Sequence, residues 1–144
     1  MQLVRDILER KGSDVATIAG KQSVKEAAVM MNSRHFGAVV VTANDKVVGI
    51  FTERDVLNRV VAQGKDPAET TVESVMTTPM ACCKRDTSLQ ECKSVMSAKR
   101  IRHMPVVEDG TLYGMISTGD ILATESAEQQ QTIEYLHEYL HASR

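Results

Sequence analysis

Apolar and polar positions along the chain follow one pattern twice. Sliding the sequence against itself by 65 residues aligns 15–57 with 80–122 without a gap. Many aligned positions exchange one apolar residue for another, and eight are identical. The identical residues, numbered in the first copy, are Ala16, Ser23, Glu26, Met31, Val41, Gly49, Asp55 and Leu57. The chain therefore contains one supersecondary unit used twice.

Each copy opens with a short apolar stretch, at 15–18 and 80–83, that predicts a strand. A helix is predicted next, because apolar residues recur there at helical spacing. These residues are Val24, Ala27, Ala28 and Met31 in the first copy, and Leu89, Cys92 and Met96 in the second. Ser23 and Ser88 precede the two helices, and a Glu three residues later predicts a capping box at each.

A β-hairpin is predicted after each of these helices. Asp109-Gly110 lies between two apolar runs of the second copy, which is a strong hairpin signal. The apolar runs are 38–42 and 47–51 in the first copy, and 105–107 and 112–116 in the second. A second helix then begins at Thr52-x-x-Asp55 or Ser117-x-x-Asp120, again with the spacing of a helix cap.

The repeat predicts a mixed α/β (α+β) fold. Two β-α-β-β-α units are expected to pack sheet to sheet as a pseudo-two-fold pair, because one unit of roughly 60 residues buries little core alone. We divide the chain into a first repeat with a short N-terminal helix (1–66), a second repeat (67–125) and a longer C-terminal helix (126–144). Ile133, Leu136 and Leu140 give the last helix an apolar stripe that its own domain or a second subunit must cover.

Composition excludes several classes of function. Lys and Arg number 17 against 19 Asp and Glu, a net charge of −2, so no basic excess is available for nucleic acid or a membrane surface. No apolar run approaches the ~18 residues of a membrane helix, and the first residues lack the apolar core of a signal peptide. Three Cys without CxxC spacing argue against a disulfide framework or a structural zinc site. We expect a cytoplasmic protein with reduced thiols.

The two units resemble a tandem pair of cystathionine-β-synthase (CBS) domains, also called a Bateman module. Each unit ends in Gly-hydrophobic-x-Thr/Ser-x-x-Asp, at 49–55 and 114–120. The resemblance implies a non-catalytic regulatory module, without a catalytic cofactor, that binds an adenosine-containing ligand in clefts between the units. AMP or a related adenine nucleotide is the expected ligand, with NAD(H) and ATP as alternatives. A homodimer and an unidentified regulated protein are the expected partners.

The resemblance also implies roles for individual residues. Asp55 and Asp120 would take ribose hydroxyls, and Thr52 and Ser117 would meet phosphate together with nearby basic residues. The chemistry agrees, because a carboxylate accepts two hydrogen bonds from a ribose diol and a helix start favours an anion. The expected ligand-binding residues are Thr17, Gly37, Ala38, Thr52, Arg54, Asp55, Cys82, Arg102, His103, Pro105, Ser117, Gly119 and Asp120.

Helix capping is the competing interpretation of the same motif. Judged by spacing alone, Thr-x-x-Asp and Ser-x-x-Asp are more often caps than ligand sites. The repeat and the family resemblance favour a ligand site, and the two interpretations are compatible. Arg102 and His103 have an alternative too: they would be solvated residues before an edge strand, where the missing N–H of Pro105 is tolerated.

We expect the two clefts to be unequal. The family geometry implies one cleft that joins Ser117, Gly119 and Asp120 with Arg102, His103, Thr17, Gly37 and Ala38. A second cleft would join Thr52, Arg54 and Asp55 with Cys82 and the backbone around 102–103. The first cleft has the hydroxyl of Thr17 and the basic pair Arg102-His103 on its own hairpin. The second has Cys82 in place of that hydroxyl and no basic residue at Gly37-Ala38, so a hydrogen bond to phosphate is lost there. AMP is therefore predicted to bind more tightly in the cleft of Asp120, the other cleft being weaker or adapted to a dinucleotide.

Two further motifs carry alternatives. His137-Glu138-Tyr139-Leu140-His141 matches the HExxH pattern of zinc proteases, which would make the protein a zinc hydrolase. A catalytic zinc needs a third protein ligand, and few residues follow, so we interpret the motif as a solvated helix face. Cys82, aligned with Thr17, carries a minority hypothesis of redox sensing beside its interpretation as a small apolar residue. A purely structural interaction module remains a third alternative.

Overall fold

The structure is a computed structural model that describes residues 1–127. Its first half contains α1 (Val4–Lys11), β1 (Thr17–Ala19), α2 (Val24–Arg34), β2 (Ala38–Ala43), β3 (Lys46–Thr52) and α3 (Glu53–Asp55), which continues as a π-helical segment, Val56–Val61. Its second half contains α4 (Val72–Val75), α5 (Leu89–Lys99), β4 (His103–Glu108), β5 (Thr111–Ser117) and α6, which covers 118–127. The bounds of α2, β2 and β3 differ from those of α5, β4 and β5 by 65 residues, which is the offset seen in the sequence.

Both predicted hairpins are confirmed. β2 pairs with β3 and β4 with β5 in antiparallel fashion, with a bulge at the same aligned position in each. The turn residues Asn44 and Asp45 have φ of 53° and 63°, and Asp109 and Gly110 have φ of 50° and 79°. Two successive positive φ angles make the turn whose twist matches that of the flanking strands, so the turn residues fix both hairpins.

The caps of α2 and α5 are formed by hydroxyl groups. The backbone N–H of Glu26 donates to Oγ of Ser23 over 3.1 Å, and that of Glu91 donates to Ser88 over the same distance. The reciprocal half of the predicted capping box is wrong at Glu26, whose carboxylate accepts from Gln22 instead, at 2.9 Å.

The opening strands differ between the two units. β1 pairs in parallel with β2, where the N–H of Val40 donates to the carbonyl of Ala16 over 2.9 Å. The strand predicted over 80–83 is wrong except for one bridge, between Cys83 and Val106. Pro105 occupies the position aligned with Val40 and has no N–H to donate, so the second unit cannot make the same bond.

The first helix, α1, packs on the second unit. Leu3 forms a bridge with Ser88, and the N–H of Val4 donates to the carbonyl of Thr87 over 2.9 Å. The fully buried side chains of Val4 and Ile7 belong to the core of the second unit. The other buried members of that core are Cys83, Leu89, Cys92, Met96, Met104, Val106, Ile116 and Ile121.

The short helix α4 makes the matching contact in the opposite direction. Thr71 bridges Ser23, and the buried Val72 and Val75 join the core of the first unit. The rest of that core is Ala16, Ile18, Val24, Ala27, Met31, Val39, Val41, Phe51 and Val60. Each unit is therefore completed by the helix that precedes the other unit, an arrangement we call the helix exchange. The division of the chain at residue 66 stays a prediction.

The glycine of the repeated motif lets the exchanged segments approach the sheets. A Cβ at Gly49 would lie 2.8 Å from the carbonyl oxygen of Thr77, just after α4. A Cβ at Gly114 would lie 2.8 Å from Cδ2 of Leu8, on α1. Both distances are shorter than an ordinary carbon contact. The carbonyl oxygen of Thr77 is backbone and cannot move aside, so packing requires Gly49, whereas Leu8 is flexible and Gly114 is favoured by its φ of 155°.

A third apolar cluster lies between the units. Its buried members are Ala38, Val40, Ile50 and Met115, with Val15, Val47, Met80 and Leu112 packed around them. The cluster contains strand residues from both units, so the two sheets share a core as the sequence predicted. Within residues 1–127, no helix is long and apolar enough to cross a membrane. The predicted helix over 126–144 lies outside the described residues beyond residue 127.

Candidate ligand clefts

Two clefts lie between the units, and each contains one of the motif aspartates. The Asp55 cleft has a volume of about 340 Å³ and is lined by Gly37, Ile50, Thr52, Glu53, Arg54, Asp55, Leu57, Thr77, Met80, Ala81, Arg100, Ile101, Arg102 and His103. The Asp120 cleft has a volume of about 280 Å³ and is lined by Lys11, Asp14, Val15, Ala16, His35, Phe36, Gly37, Ala38, His103, Met115, Ile116, Ser117 and Asp120. Most of the two linings correspond at the repeat offset.

The motif caps its helix in both clefts. The N–H of Asp55 donates to Oγ1 of Thr52 over 3.3 Å, and the N–H of Thr52 donates back to the Asp55 carboxylate over 3.0 Å. The corresponding distances at Ser117 and Asp120 are 3.1 and 2.8 Å. Each carboxylate accepts the backbone N–H of the cap with one oxygen and has further acceptor positions free for a ligand. The same residues can therefore cap a helix and face a cleft.

The Asp55 carboxylate is held mainly by hydroxyl groups. Oγ1 of Thr77 lies 3.1 Å from Oδ1, and Nε of Arg59 lies 3.5 Å from the same oxygen. Asp55 is 7% exposed, and it is one of two buried polar residues within 1–127, beside Thr124. A buried carboxylate must be hydrogen-bonded, and hydroxyl partners are easily exchanged for the hydroxyls of a sugar.

The Asp120 carboxylate carries a direct ion pair. Nζ of Lys11, at the end of the exchanged helix α1, lies 2.7 Å from Oδ2. Burial raises the pKa of Asp120, but the hydrogen bonds from Lys11 and from the backbone of Ser117 outweigh it, so the net shift is downward. A ligand hydroxyl at Asp120 would compete with a charged partner, which makes this carboxylate the less available one.

The wall opposite each aspartate comes from the other unit, and it differs in charge. The segment His35-Phe36-Gly37-Ala38 faces Asp120, and the aligned segment Arg100-Ile101-Arg102-His103 faces Asp55. The first residue of each segment ends a helix in the left-handed conformation, with φ of 57° at His35 and 56° at Arg100. The same backbone therefore presents two arginines to one cleft and none to the other.

His103 lies between the two clefts and lines both. A Cβ at Gly37 would lie 3.1 Å from Cε1 of His103 and 3.3 Å from Oε1 of Glu53, so the imidazole packs on bare backbone beside that carboxylate. Burial lowers the pKa of His103, although the charges of Glu53 and Asp120 act in the opposite direction. The imidazole is consequently neutral at pH 7 and can donate or accept a hydrogen bond.

The structure brings most of the expected site residues to the clefts. Those at the Asp120 cleft are Gly37, Ala38, His103, Ser117 and Asp120, and those at the Asp55 cleft are Gly37, Thr52, Arg54, Asp55, Arg102 and His103. Arg102 lines the Asp55 cleft rather than the Asp120 cleft to which the sequence analysis assigned its side chain. The predicted higher affinity of the Asp120 cleft depended on both Arg102 and His103, but only His103 lines that cleft.

Four expected residues do not line either cleft. Thr17 and Cys82 are exposed, and the cleft-facing positions are the residues just before them, Val15 and Ala16 or Met80 and Ala81. Pro105 is buried in the middle of β4, opposite Met115, and Gly119 is exposed in the first turn of α6. Thr17 begins β1 and Cys82 precedes the bridge at Cys83, so each cleft is lined by the residues just before this pairing, and the binding roles of Thr17 and Cys82 stay predictions.

Several residues that line the clefts were not among those expected from the sequence. Arg100 had a signal, since it aligns with His35 and lies two residues before Arg102. Lys11 and Thr77 had none, because they reach the clefts only through the helix exchange. Contacts between residues this far apart in sequence leave no periodic trace in it.

The three cysteines line a separate cavity, away from both clefts. Cys82 is exposed, whereas Cys83 and Cys92 are buried, and the thiol of Cys83 donates to the carbonyl oxygen of Pro105 over 3.7 Å. The neighbouring thiol of Cys92 and burial raise the pKa of Cys83, which makes its thiol unreactive at neutral pH. Within residues 1–127 no group of three His, Cys, Asp or Glu is placed to hold a metal ion. The HExxH motif at 137–141 lies outside the described residues.

Comparison with known proteins points to one family. The family model for the CBS domain matches residues 4–62 and again 72–126. A CBS domain-containing protein of Bacillus subtilis, YhcV, is 31% identical over 129 residues, which cover 90% of this chain and 89% of that protein.

Solved structures agree in fold. A protein with CBS domains from Burkholderia ambifaria, assigned to signal transduction, superposes with a TM-score of 0.86 at 34% identity, over 89% of this chain and 96% of that one. The CBS domain pair of protein MJ0100, solved with 5′-methylthioadenosine and S-adenosyl-L-methionine, gives a TM-score of 0.79 at 26% identity, over 89% and 98% of the two chains. The mixed α/β pair predicted from the repeat is confirmed.

Proposed function

Because this chain belongs to the CBS-domain family and carries two such domains in tandem, we propose that it is a regulatory module that binds an adenosine-containing ligand. The ligand occupies the clefts between the repeats, and no bond is made or broken there. Binding energy changes the relative stability of conformations or assemblies, which is how a non-catalytic module reports a ligand to a partner. The regulated partner is a separate protein or domain.

The observation that carries this proposal is the lining of the Asp55 cleft. A buried carboxylate with hydroxyl neighbours suits a ribose diol, and the apolar side chains of Ile50, Met80 and Ile101 suit the faces of a purine ring. Arg54 and Arg102 supply charged donors for phosphate. A sugar site, an apolar slot and an anion site in one cavity together match a nucleotide.

The relatives support the adenosine part of the ligand. The two compounds bound by protein MJ0100, 5′-methylthioadenosine and S-adenosyl-L-methionine, share adenosine and differ in the group attached to the ribose. Adenosine is thus the common element to test here. AMP, ATP and NAD(H) remain the candidate ligands.

We place the tighter nucleotide site in the Asp55 cleft. The expectation from sequence favoured Asp120 because of Thr17 and the pair of basic residues, but Thr17 lies outside that cleft and Arg102 lines the other. Asp120 is also engaged by Lys11 at 2.7 Å, whereas Asp55 has hydroxyl partners and only a longer contact of 3.5 Å with Arg59.

The proposal is tested by thermal unfolding with AMP, ADP, ATP, NAD⁺, NADH and S-adenosylmethionine, with GTP as the base control. A ligand at a hundred times its Kd adds ~2.7 kcal/mol to the free energy of unfolding, which raises Tm by roughly 5–10 °C in a domain of this size. We expect such a shift with at least one adenosine compound and a smaller one with GTP. If no compound moves Tm at millimolar concentration, the protein is an interaction module without a nucleotide site.

A homodimer is part of the proposal. Leu57 and Val61, beyond Asp55, and Leu122, beyond Asp120, are each about 60% exposed despite their size. Leu57 and Leu122 occupy matching positions of the two units, and exposed apolar side chains of this kind suit a self-complementary interface between two copies. Sedimentation velocity distinguishes a dimer from a monomer, and a concentration-independent monomer at tens of micromolar would contradict it.

A further inference from the structure

A further cavity adjoins the Asp55 cleft, and it combines apolar side chains with a group of Lys and Arg residues. It lies between α5, the start of α6 and the Arg100–Arg102 segment, and it has a volume of about 370 Å³. Arg54, Arg100, Ile101 and Arg102 line both this cavity and the Asp55 cleft, so the two cavities are neighbours that share these side chains. We call this cavity the Lys93 groove, after the lysine that lines it and not the cleft.

Four cations line the Lys93 groove: Lys93, Arg54, Arg100 and Arg102. No acidic residue lies in its described lining. Lys93 reaches outward to Glu125 at 2.8 Å, and Arg54 donates to the carbonyl oxygen of Arg100 over 2.7 Å. Within residues 1–127, the three arginines form no ion pair with a carboxylate. Like charges gathered at one cavity repel one another unless an anion is present, so the groove favours a multiply charged anion.

The repeat supplies an internal control for this charge. The aligned cavity in the other unit has a volume of about 500 Å³ and lies against α2 and α3. Ala28, His35 and Glu53 occupy there the positions of Lys93, Arg100 and Thr118. That lining contains one carboxylate and neither Lys nor Arg among the described residues. The fold therefore makes a cavity on both sides, and the basic lining is specific to the side that adjoins the Asp55 cleft.

We propose that the Lys93 groove is a polyphosphate subsite of the Asp55 cleft. This inference rests on the proposed function: the adenosine occupies the cleft, and the phosphate chain passes Arg54 and Arg102 to end near Lys93. The ligand class is then an adenosine nucleotide with two or more phosphates, in preference to AMP or an uncharged adenosine derivative. Guanidinium groups bind phosphate oxygens in pairs, which suits the arginines to the inner phosphates and the lysine to the terminal one.

Calorimetry with adenosine, AMP, ADP, ATP and inorganic tripolyphosphate tests the subsite. We expect ATP to bind at least about 10-fold more tightly than AMP, since each added phosphate gains charged hydrogen bonds. Lys93→Ala should lower ATP affinity about 10-fold and leave adenosine affinity unchanged. Lys99→Ala, which removes the same charge from α5 outside the groove, is the matched control and should change neither. Glu125→Gln, which frees Lys93, should tighten ATP severalfold.

The outcomes separate this inference from the proposed function. If AMP and ATP bind equally well and Lys93→Ala has no effect, the subsite is refuted while the adenosine cleft stands. If no adenosine compound binds but tripolyphosphate binds in a Lys93-dependent way, the groove is an anion site and both the adenosine function and the role as a subsite are wrong. If nothing binds, both proposals are wrong.

Discussion

The two clefts are built on one backbone and differ in what their side chains hold. At Asp120, a lysine from an exchanged helix pairs with the carboxylate over 2.7 Å, and the opposite wall carries His35 and Gly37. At Asp55, hydroxyls hold the carboxylate together with a longer contact to Arg59 at 3.5 Å, and the opposite wall carries Arg100 and Arg102. Duplication gives two cavities of similar construction, with volumes of about 340 and 280 Å³, so the positions at which the copies have diverged decide how each one binds. A motif shared by both copies cannot reveal which one binds.

The largest expected effect concerns the motif aspartates themselves. Asp55→Ala removes the acceptor for two ribose hydroxyls and should weaken nucleotide binding about 100-fold, since hydrogen bonds to a charged group contribute ~1.5–3 kcal/mol each. Asp120→Ala should change the strongest isotherm less than about 3-fold, because it acts on the other cleft. Calorimetry with ATP on both variants measures the difference.

Asp55→Ala also deprives Thr52 and Thr77 of a partner, so folding must be checked by circular dichroism. Asp55→Asn keeps an acceptor oxygen for these groups and serves where the alanine variant does not fold. Equal losses in the two aspartate variants, or a larger loss with Asp120→Ala, would reverse our assignment of the tighter cleft.

A smaller effect is expected from moving charge between the opposing walls. Arg102→Ala should weaken ATP binding in the Asp55 cleft about 10-fold, by loss of a charged hydrogen bond. His35→Arg places in the Asp120 cleft the residue found at the aligned position 100, where arginine already adopts the same left-handed backbone. It should strengthen the weaker isotherm about 3-fold. Calorimetry resolves both isotherms, and an unchanged weaker site in His35→Arg would show that wall charge is not what distinguishes the clefts.

The smallest effect concerns His103, which the clefts share. Burial lowers the pKa of His103 below its ordinary value of 6.5. The positive charges of Lys11 and Arg102 also lower this pKa, whereas the negative charges of Glu53 and Asp120 raise it. The unfolded chain then binds a proton more readily than the folded one, so stability contributed by the neutral imidazole is present above pH 6.5 and is lost as pH falls below it. Denaturant unfolding between pH 5 and 8 should show this loss, and His103→Gln should reduce it. A slope identical in both proteins would mean that other groups cause it.

The parts of the molecule that could be predicted from sequence are those governed by local chemistry. Ser23 and Ser88 mark helix starts because a hydroxyl caps the backbone within three residues, and Asp109-Gly110 marks a turn because of its φ preference. The pairing of Lys11 with Asp120 depends instead on where the whole of α1 packs. The residues next to Lys11 in the sequence do not indicate that position. Thr17 was misplaced by a strand that starts later than its apolar run.

The helix exchange makes the folding of each half of the chain dependent on the other half. A half-chain ending near residue 66 contains a helix and a unit that do not pack on each other, so neither half closes its own core. Two copies of such a half can form a dimer in which the helix of each copy packs on the unit of the other. A single repeat can therefore fold as a dimer. Residues 63–67 lie in the connection between the π-helical segment and α4, and we call them the linker. The linker converts that encounter between molecules into one within a chain, where the effective concentration of the partner helix no longer depends on expression level. Cleaved at the linker, the two fragments should remain bound to each other, and their affinity would measure how strongly the halves are joined.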